Sequence, residues 1–178
     1  MKARLIAAVL ATLALSGCAS DEEKPLTDAQ GRWVDVFCGG VLPGMRAGQE
    51  LRAQNPADPA AVKASYLKLI TANATAFADA EEKLKELGPP SDELKAVHER
   101  LVKYAGESAR SYVAAEAPVK ALEPNAQFWE NAEKALQDTS QVTSPEDLRA
   151  TFDALEKSPK YAAAMGKSEP CRGLKAES

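Results

Sequence analysis

The sequence predicts an all-α fold: a helical bundle of about four to five helices, with an antiparallel hairpin of two long helices at its centre. Three observations point there. Of the 178 residues, 34 are Ala, the residue that loses no side-chain entropy in a helix. Apolar residues recur at steps of three and four from Tyr66 to Leu87 and again from Leu94 to Ala115, the spacing of one helix face. No segment carries the alternation of β-branched, aromatic and polar residues that marks a strand. With 45% apolar and 27% charged residues, the composition is that of a foldable soluble chain. The length fits a single helical domain, placed at residues 27–178.

Thr27 followed by Gln30 has capping-box spacing, and Trp33, Val36 and Phe37 follow at helical spacing. The first helix is therefore expected from about 27 to Cys38. Gly39-Gly40 and Pro43-Gly44 interrupt it, and a second piece over about 45–54 continues after a bend. Asp58 and Pro59 form a helix start. From Tyr66 the seam runs through Ile70, Asn73, Phe77, Ala80, Leu84 and Leu87, and Gly88-Pro89-Pro90 stops it.

Ser91-Asp92-Glu93 opens the third long helix, with acids where the helix dipole favours them. Its stripe is Leu94, Val97, Leu101, Tyr104, Ser108, Tyr112 and Ala115, and Pro118 is expected to end or kink it near Ala117. The three-residue Gly-Pro-Pro connection folds the two long helices back on each other. Pro124-Asn125 begins a helix through Phe128, Ala132, Ala135 and Leu136, fading near Asp138. Ser144-Pro145-Glu146-Asp147 starts another, with Leu148, Phe152 and Leu155. Tyr161 to Met165 makes one or two further turns, and Gly166 to Ser178 reads as a tail.

The N-terminal segment carries the most specific motif. Lys2 and Arg4 precede an uncharged apolar stretch from Leu5 to Leu15, about half the ~20 residues a membrane-spanning helix needs and of the length of a signal-peptide core. It ends in Leu15-Ser16-Gly17-Cys18, which resembles the lipobox of bacterial lipoproteins. The resemblance covers only the first tenth of the chain. It implies that residues 1–17 are a cleaved signal peptide and that Cys18 becomes the lipid-bearing N-terminus, anchored to the outer face of the bacterial cytoplasmic membrane or the periplasmic face of an envelope membrane. Loss of Lys2 and Arg4 leaves the mature chain more acidic than the full chain's −4. Residues 18–26 then form a lipidated tether. Its last eight residues, with three acids, one Lys and one Pro, reach at most about 26 Å.

With Cys18 acylated, Cys38 and Cys171 remain, and an exported chain with two spare cysteines pairs them. The loop spans 133 positions. The absence of a CxxC pair, and a lone His98 far away in sequence, speak against a metal site. No basic block is present, which argues against nucleic acid as a partner.

Residues suited to catalysis are few. His98 falls at the edge of the third helix's stripe, where a partly exposed surface histidine is expected in preference to a general base. No GxSxG, HExxH or Gly-rich phosphate loop occurs. Asn73, a polar residue in an apolar seam, either fixes helix register or lines a small polar pocket; the first is favoured. Cys38 to Gly44 either bends the chain and lets it approach Cys171, the favoured reading, or floors a cleft. Phe128 and Trp129 are adjacent and point about 100° apart, so one of them, Trp129, is placed at the core boundary, where it is a candidate partner anchor. The expected function is therefore that of a non-enzymatic, lipid-anchored cell-envelope protein acting through contact with another envelope protein, without a cofactor. The alternative is a carrier holding an apolar ligand between its helices.

Overall fold

The structure is a computed structural model that describes residues 26–142 and 146–177. The expected signal peptide, Cys18, residues 18–25 of the tether, and Ser144-Pro145 lie outside the described residues. All regular structure within them is helical: α1 (Asp28–Arg52), α2 (Pro59–Leu87), a 3₁₀ turn (Asp92–Leu94), α3 (Lys95–Ala121), α4 (Phe128–Thr139), α5 (Glu146–Glu156), α6 (Pro159–Lys167) and α7 (Glu169–Glu177). The all-α class expected from the sequence is observed, as a helical bundle.

The caps follow the sequence. Gln30 N donates to Thr27 Oγ1 at 3.3 Å and Thr27 N donates to Gln30 Oε1 at 2.9 Å, a reciprocal capping box. Asp58 accepts from Ala61 N at 3.1 Å, with Pro59 in the first turn of α2. Gly88 closes α2 with φ of 67°, a conformation that favours glycine.

α1 corrects the expected break at Gly39-Gly40 and Pro43-Gly44, because it runs unbroken from Asp28 to Arg52. Gly40 and Gly44 are buried against α2. A Cβ on Gly40 would stand 2.7 Å from Ala80 Cβ, and one on Gly44 only 1.9 Å from Asn73 Oδ1. At Gly40 the two helices approach too closely for a side chain, and at Gly44 the space is taken by the Asn73 side chain. Packing along this line outweighs the roughly 1 kcal/mol per residue that glycine costs a helix. Pro43 is exposed, so the helix hydrogen bond that proline cannot donate is missing outside the core. The close approach that the glycines permit is to α2, in place of the expected approach to Cys171.

α3 likewise passes Pro118 and ends at Ala121. Pro118 is exposed while Val119 beyond it is fully buried. Lys63 Nζ donates to the carbonyls of Lys120 and Leu122 at 2.8 and 2.6 Å, a basic group on two of the carbonyls at the helix end. α4 begins at Phe128, later than the expected Pro124-Asn125. Asn125 holds a turn instead, accepting from Gln127 N through Oδ1 and from Phe128 N through its carbonyl.

The expected C-terminal tail is the helix α7, packed on α1. Cys171 and Leu174, three apart, are its buried face. Ser168 Oγ accepts from Cys171 N at 3.4 Å in the position of an N-cap. Cys38 and Cys171 form the expected disulfide, with Cα atoms 5.0 Å apart.

The core has two poles. Near the start of α1, Trp33, Val34 and Phe37 meet Leu84, Leu101, Leu155, Tyr161 and Met165. Near its end, Leu51 meets Tyr66, Ile70, Val119, Phe128 and Ala132. A thin middle layer of Phe77, Ala105 and Ala109 lies between them. Phe77 stacks on Tyr112 and meets Tyr104 edge-on. Every position of the α2 seam from Tyr66 to Leu84 is buried as expected, and Leu87 is half-buried.

Candidate functional site

Trp129 and Phe128 show how two adjacent aromatic residues divide between core and surface. Both rings meet Tyr66 edge-on, each with centroids 6.0 Å apart. Phe128 points inward and is buried, whereas Trp129 keeps 40% of its surface exposed, the boundary position expected from the sequence. Tyr66 is a rigid support for both. Its hydroxyl is pushed up to about 12 by burial, reinforced by Glu133 and Tyr112, so it stays a neutral phenol at any physiological pH.

Trp129 forms one wall of a cleft of about 410 Å³ where the α1–α2 loop meets the start of α4. Leu51, Pro56, Pro59, Val62 and Phe128 complete its apolar lining, and Gln54, Asn125 and Arg52 supply its polar edge. Pro56 and Pro59 restrict the loop's backbone. Of these residues only Trp129 was legible in the sequence as a contact candidate. The others carry no motif, and it is the bend from α1 into α2 that brings them opposite α4.

His98 corrects the expectation of a surface histidine. It is 7% exposed, and its Nδ1 accepts from Trp33 Nε1 at 3.0 Å. Its pKa is lowered by burial, with Glu99 pulling weakly the other way. A neutral imidazole committed to an indole N–H is a packed structural group. Asn73 Nδ2 donates to Leu69 O at 3.1 Å while its amide lies against Gly44. It sits in the α1–α2 interface, as a register residue would, and does not line the neighbouring cleft.

Two other clefts open on the surface. One, of about 470 Å³, lies between α1 and α2 along Gly39, Gly40, Pro43, Ala72 and Ala76, so the glycines floor a cleft as well as allowing close approach. The second, of about 930 Å³, lies beside Thr27 between α1, α6 and the start of α7, and mixes Asp28, Asp35 and Glu169 with Arg32, Lys160 and Lys167. Among the described residues no cluster of three or more His, Cys, Asp or Glu converges on a point, and no helix is long and apolar enough to cross a membrane. Compared with known proteins, the chain matches no family model, no curated protein and no solved structure.

Proposed function

We propose that this protein is a non-enzymatic, lipid-anchored envelope module that works by contact with another protein, held to the membrane through Cys18 and presenting the Trp129 cleft to its partner. Its frame is the antiparallel α2–α3 hairpin, with α1 and the four shorter helices α4 to α7 packed around it, so that seven helices among the described residues take the place of the four to five expected from the sequence. The lipobox-like Leu15-Ser16-Gly17-Cys18 supports the anchor. The observation that carries the contact reading is Trp129, 40% exposed on a rigid aromatic support at the wall of an apolar cleft. Exposed Trp beside a pocket is the usual composition of an interface anchor.

The placement of the cleft supports the same reading. The chain enters the described bundle at Leu26 and Thr27, and α1 carries it through 25 residues, about 37 Å, to Leu51 and Arg52 at the cleft. The end at which the proposed tether joins the bundle and the end beside the cleft are thus opposite ends of one helix, an arrangement that supports contact with a partner away from the lipid.

The test places a photo-crosslinking residue at Gln54 in the full-length protein in native cells. The expected result is a discrete adduct that Trp129→Ala removes and that a crosslinker at Val113, an exposed apolar site elsewhere, does not give. Identical patterns at Gln54 and Val113, or no adduct at either, overturn the contact reading.

The second reading, a carrier of an apolar ligand, draws on the cleft's volume of about 410 Å³, within the range of small-molecule sites. Saturable binding of Nile red that Val62→Glu abolishes, with no protein adduct at Gln54, would favour it.

A further inference from the structure

We infer that the occupant of the Trp129 cleft is a short extended peptide segment of the partner, carrying an apolar side chain next to an aspartate or glutamate. This rests on the contact reading above and specifies its partner's chemistry.

Charge comes first. Arg52 is the only charged residue among those lining the cleft. It sits in the last turn of α1, exposed, and no ion pair joins it to another described residue. The nearest acid on its own helix, Glu50, is already paired with Lys68. On α4, Glu130 and Glu133 are exposed and lie outside the lining. Asp58 in the α1–α2 loop and Glu123 before α4 are also exposed and outside the lining. In a chain of net charge −4 the one charge among the lining residues is thus a cation, its guanidinium lying back along α1 beside Gly48. With screening over about 8 Å at physiological salt, Arg52 is the lining residue whose charge a docked segment meets.

Shape comes second. A cleft of about 410 Å³ is too small for a helix of 10–12 Å diameter and suits a few side chains of an extended strand. The rim fits such a backbone. Gln54 Nε2 donates to Glu50 O, which leaves its carbonyl oxygen to accept. Asn125 Oδ1 accepts from Gln127 N, which leaves its amide N–H groups to donate. One acceptor and one donor at the edge match the N–H and C=O of an extended peptide. Trp129, fixed edge-on by Tyr66, supplies a preformed apolar wall, so little ordering accompanies binding.

The experiment selects a displayed library of random blocked heptapeptides on the purified mature domain, with Trp129→Ala and Arg52→Glu run in parallel. Expected is enrichment of Asp or Glu beside an apolar residue on the wild type. Replacing that acid by its amide should weaken binding at least tenfold, read by the emission of Trp129; the other tryptophan, Trp33, is fully buried. Arg52→Glu should switch the preference to Lys or Arg, and Trp129→Ala should abolish enrichment. Enrichment of neutral or basic sequences on the wild type, or none above the Trp129→Ala background, overturns the inference. A Trp129-dependent adduct at Gln54 that persists unchanged in Arg52→Glu also overturns it while leaving the contact reading standing.

Discussion

The indole N–H of Trp33 donates to Nδ1 of His98 at 3.0 Å, joining α1 to α3 inside the core. Trp33 is fully buried and is the largest such side chain among the described residues. Its N–H needs an acceptor, and neutral His98 is the one observed. Protonation of His98 would turn that acceptor into a donor and leave the indole N–H without a partner. Burial lowers the His98 pKa below its ordinary value of 6.5. The neutral form is therefore favoured in the folded state, and the unfolded chain binds the proton more readily. This contribution to stability is complete above pH 6.5 and is lost as the pH falls from there through the lowered folded value.

The melting temperature of the wild type should consequently fall between pH 7.5 and 5.5. His98→Asn, which keeps an acceptor but does not titrate, should lack that step. His98→Leu should be less stable at pH 7.5 by about 1–3 kcal/mol, the cost of an orphaned buried donor. Thermal melts of the three proteins across this range check the claim, and an equal pH slope in wild type and His98→Asn refutes it.

Two alanine substitutions in α1 should have opposite signs. At Gly39 nothing lies within 4 Å of a new Cβ, so Gly39→Ala should stabilise by up to about 1 kcal/mol through helix propensity. At Gly44 the new Cβ would meet the Asn73 side chain, and Gly44→Ala should destabilise by about 1–3 kcal/mol. Asn73→Ala in the same chain should restore much of that loss, which denaturant titration of the double mutant measures.

Reducing the Cys38–Cys171 disulfide should lower the melting temperature substantially. A loop of 133 positions restricts the unfolded chain by roughly 4–5 kcal/mol in the entropic account. At about 2–4 °C per kcal/mol for a chain of this size, the shift should exceed several degrees. Limited trypsin digestion should then cut after Lys167 and Arg172, since α7 buries little besides Cys171 and Leu174. A reduced protein with unchanged melting and no C-terminal cleavage contradicts this.

The anchor is tested by Cys18→Ser. In a bacterial host the wild type should incorporate labelled fatty acid and partition into detergent, and the variant should do neither. Identical behaviour of the two proteins overturns the proposed lipid anchor.

Local signals in the sequence carried much of the fold. The α2 seam from Tyr66 to Leu84, the caps at Thr27 and Asp58 and the stop at Gly88 depend on residues within one or two turns of each other, and they appear where the spacing predicts. The pairing of Cys38 with Cys171 followed from there being two cysteines to spare, and Trp129 was placed at the boundary because a neighbouring Phe128 takes the inward direction. Ser168-Glu169-Pro170 also has the form of a helix start, but the segment after it carries too little apolar content to mark a helix by periodicity.

Only the tertiary structure decided the rest, for one physical reason: whether a helix breaker breaks depends on what it packs against. Gly40 and Gly44 are weak helix residues in isolation, yet Ala80 of α2 leaves no room for a side chain at Gly40, and the Asn73 side chain leaves none at Gly44. Pro43 and Pro118 are both exposed, so the hydrogen bond each removes is lost outside the core. His98 is surface-like by its place in the stripe but becomes core because Trp33, 65 positions away, presents an N–H that needs an acceptor. The Trp129 cleft exists for the same reason, since Arg52 and Asn125 are strangers in sequence and become neighbours only when α1, α2 and α4 meet.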